Sequence, residues 1–84
     1  MKRTYAILIS KLPANYSAHA PDVDGCIATG GTLEEVKRNI QEALAFHFEG
    51  TAEDGLPIPE PTALELAYVE VAIPAPLKHE MPAL

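Results

Sequence analysis

The amino-acid sequence predicts an α+β fold: one domain in the order β-β-β-α-β, with a mixed four-stranded sheet and one helix on one face. Short segments of period-two hydrophobic alternation lie near both ends, and a segment of helical periodicity lies between them. Clusters of Pro, Asn, Asp and Gly separate these segments. A chain of 84 residues has room for a single domain, which we place at residues 1–73, followed by a Pro-rich tail at residues 74–84.

Three strands are predicted before the helix. Residues 3–12 alternate as a strand that is apolar on both faces, and the turn residues 13–15 lead into a second alternating segment at residues 16–20. Residues 21–25 contain a proline, two aspartates and a glycine, which interrupt the pairing before a short third strand at residues 26–29. The first two strands should therefore form a hairpin.

The helix is predicted to begin at Thr32, whose hydroxyl can accept a hydrogen bond from the Glu35 amide while the Glu35 carboxylate reaches back in a capping box. Either Gly50 or Gly55 can end it. At about 100° per residue, one apolar arc forms. Its members are Leu33, Val36, Ile40, Ala43, Leu44 and His47.

The C-terminal part of the domain should return to the sheet. Residues 56–62 place prolines at alternate positions, which favours an extended and semi-rigid strap. Residues 63–73 alternate with period two and predict the fourth strand, lying beside the first in the order 3-2-1-4. Because one helix covers only one face, we expect a homo-oligomer, a dimer or a tetramer, to bury the other.

The composition excludes several classes of protein. Twelve acidic residues against six Lys and Arg give a net charge of −6, so direct nucleic-acid binding is not expected. The single cysteine, Cys26, excludes an internal disulfide. The chain shows neither a signal peptide nor an apolar run of the roughly 20 residues that a membrane-spanning helix needs. We therefore expect a cytoplasmic protein.

Few residues suggest catalysis. His19, Asp22, Asp24 and Cys26 lie close in sequence, but their spacing matches no established zinc pattern, so we predict no metal site. Asp22 and Asp24 can also be regarded as paired carboxylates, which would need further acidic groups from other elements. The glycines before the helix lack the lysine and the spacing of a phosphate-binding loop. We predict no cofactor and no enzyme activity.

His47 lies within the apolar arc of the helix, between Phe46 and Phe48, which project to either side. Such a histidine is most often a core or interface residue whose ring nitrogens bond to the backbone. The alternative is a pH-sensitive contact.

The sequence PDVDGCIATGGTLEEVKRNIQEALAFHFEG, followed by LPIPEP, resembles the HicB family of antitoxins. The resemblance runs from about Tyr5 to Ile73. It implies a partial, degraded RNase H-like unit that binds HicA, a small basic RNA-cleaving toxin, and blocks its active site. Many members carry a further C-terminal DNA-binding module, but the eleven residues after Ile73 are too few for one, so operator binding is not carried over.

The leading hypothesis is therefore a HicB-like domain that neutralises a HicA-type toxin by protein–protein contact, with Asp22, Asp24, Glu34 and Glu35 facing basic toxin residues. A second hypothesis is a solitary oligomeric domain that regulates another protein or binds a small ligand. A third is a degenerate RNase H-like, metal-dependent nuclease that uses Asp22 and Asp24.

Overall fold

The computed structural model of the chain describes residues 2–63 and 65–75. This part contains three strands, β1 (Leu8–Lys11), β2 (Tyr16–His19) and β3 (Ile27–Gly30), followed by the helix α1 (Leu33–Glu53). The α+β class and the order of these four elements are as predicted. Within the described residues, no helix combines the length and the apolar character needed to cross a bilayer.

The strands form an antiparallel sheet in the order β1-β2-β3. The β1–β2 hairpin closes with the Leu12 amide donating to the Asn15 carbonyl at 2.8 Å. β1 begins later than predicted, at Leu8, which pairs with His19 at the end of β2. Pro21 follows shortly after and has no N–H with which to extend the ladder. β2 is thus central, and β1 and β3 are the two edges.

The start of α1 follows the predicted cap with one change. Thr32 has extended backbone angles (φ −134°, ψ 166°), and its hydroxyl accepts from the Glu35 amide at 3.0 Å. The Glu35 carboxylate, however, accepts from the Gly31 amide, one residue before the cap. At the other end, Gly55 has a φ of +70° and follows the helix, whereas Gly50 lies within it. Gly55 is therefore the terminating glycine.

The core lies between α1 and strands β2 and β3, the two strands on which the helix packs. Helix residues four apart supply one side, and small residues of the sheet and its turn supply the other. The buried residues are Ala18, Ala20, Val23, Cys26, Val36, Ile40 and Leu44. Gly30 allows β3 to lie close to α1, since a Cβ built there would lie 2.6 Å from the Val36 nitrogen.

The predicted fourth strand is not part of this sheet. Residues 65–73 carry no strand, and their side chains are exposed: Tyr68 by 92%, Val69 by 81% and Ile73 by 83%. A strand forms only where a neighbouring segment pairs with its backbone N–H and C=O groups. Residues 65–73 instead extend away from the sheet and α1. The radius of gyration is accordingly 18.0 Å, against about 12 Å for a compact domain of this length. Of the predicted tail, residues 76–84 lie outside the described residues.

Candidate functional site

Asp22 fastens the Pro-rich strap to the turn between β2 and β3. Its carboxylate accepts hydrogen bonds from the Thr62 amide at 2.9 Å, from the Thr62 hydroxyl and, more weakly, from the Ala63 amide at 3.4 Å. The Thr62 hydroxyl and amide hold the pKa of Asp22 below its ordinary value. This carboxylate, predicted to face a partner, is thus directed at its own chain.

The N-terminal segment fastens the same strap a few residues earlier. The Tyr5 hydroxyl donates to the Pro59 carbonyl, and Arg3 forms an ion pair with Glu60 at 3.0 Å. The pair is largely exposed, so solvent screening leaves it a small contribution to stability. Sequence reasoning missed Arg3, Tyr5 and Thr62, because contacts between residues 40 or more positions apart leave no local pattern.

The other predicted partner-binding carboxylates are placed differently. Asp24 and Glu34 are exposed, whereas Glu35 is half-buried and occupied by the helix cap. Asp24 shares the turn of Asp22, and Glu34 lies in the first turn of α1. Among the described residues, no group of three or more His, Cys, Asp or Glu side chains is arranged to hold a metal ion.

A groove opens between α1 and the N-terminal segment. We call it the β1 groove, and its volume is about 610 Å³. Its apolar lining is Tyr5, Ile7, Ile40, Leu44, Phe48 and Ile58. The Tyr5 and Phe48 rings meet at its wall, with centroids 5.2 Å apart. Arg3 and Lys37 supply the charged groups of the lining, so the groove is apolar with basic groups.

A second surface lies around His47, on another side of α1. We call it the His47 surface, formed by Ile27, Phe46, His47, Asp54 and Leu56. Phe46 is 79% exposed and Ile27 67%. The His47 carbonyl accepts from the Thr51 hydroxyl at 2.9 Å. Exposed apolar side chains grouped in this way are typical of a protein-binding surface.

His47 is exposed and does not lie in the core of this chain, which corrects the core interpretation and leaves an interface role as a proposal. His47 is exposed because α1 is longer than the strands of the sheet on which it packs. At 1.5 Å per residue the 21-residue helix measures about 31 Å, while each four-residue strand measures about 13 Å. The C-terminal part of α1 therefore extends past the sheet. There Phe48 continues the buried row of residues, while Phe46 and His47 face outward.

A comparison with protein families shows the family to which the chain belongs. Residues 5–73 match the family described as the HicB-like antitoxin of bacterial toxin–antitoxin systems. The chain belongs to this family. The match spans the same residues as the sequence resemblance, from Tyr5 to Ile73.

Curated relatives of this HicB-like chain carry little functional description. It is 41% identical over 61 residues to an uncharacterized 14.9 kDa protein of Haemophilus phage HP1, covering 73% of the chain and 46% of the relative. It is 42% identical over 55 residues to a UPF0150 protein of Thermotoga maritima, covering 66% and 72%. The chain thus spans a little under half the length of the phage relative.

Among solved structures, the HicB-like chain is similar to a chain of a complex described as the HicA3 and HicB3 toxin–antitoxin complex. The TM-score is 0.62 and the identity 36%, with 70% of this chain and 69% of the other covered. At this identity the likeness extends beyond fold to family. An α+β domain of a toxin–antitoxin family thus has a structural counterpart in an assembled toxin–antitoxin pair.

Proposed function

We propose that this HicB-like chain binds a HicA-type, mRNA-cleaving toxin and neutralises it by protein–protein contact. The observation that carries the proposal is the likeness to a chain of the HicA3 and HicB3 complex, over 70% of this chain at 36% identity. In this proposal the chain acts by binding and not by catalysis. Because its target cleaves mRNA, the chain acts in the cytoplasm.

Charge supports a basic partner. The net charge of −6 attracts a basic protein and speeds encounter, while apolar contacts set how long the complex lasts. Asp24 and Glu34 present exposed carboxylates for this purpose. Asp22 and Glu35 act indirectly, because their oxygens hold the strap and the helix cap in place.

The His47 surface is the proposed contact area. Phe46 supplies an exposed aromatic side chain, and Ile27 and Leu56 extend the apolar area beside it. Aromatic side chains at the centre of an interface often carry most of the binding free energy. His47 lies within the proposed contact, beside Phe46.

Co-expression of this chain with a HicA-type toxin, followed by co-purification, tests the proposal. We expect Phe46→Ala to weaken the complex by at least tenfold in Kd, equivalent to about 1.4 kcal/mol. Asp24→Lys should mainly slow association. Leu12→Ala, an exposed change in the β1–β2 loop, is the control and should leave both unchanged.

Two outcomes count against the proposal in different ways. If the toxin binds Phe46→Ala as tightly as the parent chain, the His47 surface is not the contact area. If the parent chain neither binds the toxin nor reduces its RNA cleavage, the antitoxin role itself is wrong.

A further inference from the structure

Residues 65–73, which we call the C-terminal segment, have the sequence pattern of a strand but pair with no strand among the residues that the structure describes. One face carries Val69, Val71 and Ile73, and the other carries Leu66 and Tyr68. All five side chains are between 58% and 92% exposed. So many exposed apolar side chains in one segment are unfavourable in water and are typical of an element that another surface covers.

The β1 groove is the complementary feature. β1 pairs with β2 along one side only among the described residues, so its other edge offers free backbone N–H and C=O groups. α1 packs on β2 and β3, and the described contacts do not bring it onto β1. The groove lies beside residues 3–7, which lead into β1, and its lining by Ile7, Ile40 and Leu44 makes it open and apolar. It has the lining that the inner face of one added strand needs.

Two contacts of the Pro-rich strap fix the position at which the C-terminal segment starts. Tyr5 holds Pro59 at the N-terminal side of β1, and Asp22 then holds Thr62 at the turn after β2. Between these two points the strap crosses from the β1 side toward the centre of the sheet. The segment beyond residue 63 therefore starts away from the free edge of β1, and it continues outward from the body.

We propose that two copies of this chain exchange their C-terminal segments. Residues 65–73 of each copy lie along the free edge of β1 in the other, with Val69, Val71 and Ile73 facing its β1 groove. Each sheet then gains a fourth strand next to β1, which restores the predicted order 3-2-1-4 with the fourth strand supplied by the second copy. Reciprocal exchange of one element closes a two-fold dimer.

Charge favours a second copy over a basic toxin as the occupant. Lys37 lines the groove and, among the described residues, makes no ion pair, so a basic protein meets like charge there, whereas the C-terminal segment carries Glu65 on the same face as Val69, Val71 and Ile73. The length also fits. Nine residues of strand extend about 30 Å, enough to follow β1 and the residues before it. The exchange goes beyond the proposed function and does not depend on a toxin.

Light scattering coupled to size-exclusion chromatography of the full chain tests the exchange. We expect a mass of twice 9.0 kDa. Val71→Asp places a charge on the face that enters the groove and should give the monomer, whereas Ala72→Asp places the same charge on the opposite face and should stay dimeric. On the receiving side, Ala45→Arg adds bulk at an exposed groove residue and should give the monomer, and Ala52→Arg, exposed on the same helix, is its control.

Mixing Val71→Asp with Ala45→Arg distinguishes a blocked exchange from misfolding, because misfolded chains would not regain a dimer on mixing. Val71→Asp keeps an intact groove and Ala45→Arg keeps an intact segment, so their mixture should regain a dimer with one exchanged strand. A parent chain that is monomeric at every concentration overturns the proposal, since the segment then returns to its own β1 or stays free. Equal dimerisation of Val71→Asp and Ala72→Asp also overturns it. Hydrogen-exchange protection of residues 65–73 that appears only with the toxin assigns the segment to the toxin instead.

Discussion

Replacing Gly30 with alanine is expected to push β3 away from α1. The new Cβ would lie 2.6 Å from the Val36 nitrogen, 2.9 Å from its Cα and 3.0 Å from the Glu35 carbonyl carbon. All three are backbone atoms, so no side chain can rotate out of the way. The strand and the helix must separate by about 0.8 Å to restore ordinary contact, which disturbs the packing of Val36 and Ile40.

The expected cost follows from this displacement. Overpacking a well-packed core costs about 1–3 kcal/mol, and the smaller conformational freedom of alanine in the unfolded chain returns about 0.4–1 kcal/mol. A net loss of about 1–2 kcal/mol remains, which lowers the Tm of a domain of this size by roughly 5–15 °C. Gly50→Ala is the matched control. It adds a methyl group to open space on α1 and should stabilise the helix by about 0.5–1 kcal/mol.

Urea and thermal unfolding of the two variants, followed by circular dichroism, measure both effects. Equal protomer concentrations are needed because association raises the apparent stability. The two alanines should move the unfolding midpoint in opposite directions. A Gly30→Ala variant as stable as the parent chain would refute the close approach of β3 to α1.

Three further predictions concern the turn after β2, the helix cap and the buried thiol. Hydrogen bonds from Thr62 lower the pKa of Asp22 from 3.8, so the contact between Asp22 and the strap should be complete above pH 3.8 and be lost as the pH falls through the lower pKa of the folded state. Hydrogen-exchange protection of the Thr62 amide measures this loss. Asp22→Asn should remove the pH dependence, and Asp24→Asn should keep it. Thr32→Ala should lower the free energy of unfolding by about 1 kcal/mol, as read from urea midpoints, because the Glu35 amide loses its acceptor; an unchanged midpoint would contradict the cap. Burial raises the pKa of the Cys26 thiol, so Ellman's reagent should react with it far more slowly in the native chain than in urea, and equal rates would place Cys26 at the surface.

Local patterns predicted the local structure well. The capping sequence placed the start of α1 at Thr32, and the alternation of Tyr16–His19 placed β2, because caps and strand faces depend on neighbours in sequence. In the sequence, Gly30 simply follows the predicted third strand at residues 26–29. Its close approach to Val36 is a property of the packed helix and sheet, which no window of sequence contains.

The candidate site was predictable only in part. Asp24 and Phe46 are exposed and available to a partner. Asp22 looks equally available in sequence, but Thr62, 40 residues later, takes its oxygens. The periodicity of α1 placed His47 on the same face as the core residues. The angle of a residue around the helix axis shows which face it occupies, but it does not show where the short sheet beneath that face ends. The alternating pattern of residues 65–73 identified a strand without identifying which chain would pair with it.

The antitoxin role is tested most directly by an RNA-cleavage titration. A HicA-type toxin is held at fixed concentration with an RNA substrate, and the purified chain is added in increasing amounts. We predict that cleavage falls in proportion to the added chain and stops at a fixed stoichiometry, with Phe46→Ala requiring a larger excess. Cleavage that continues undiminished in a large molar excess of the parent chain would contradict the account.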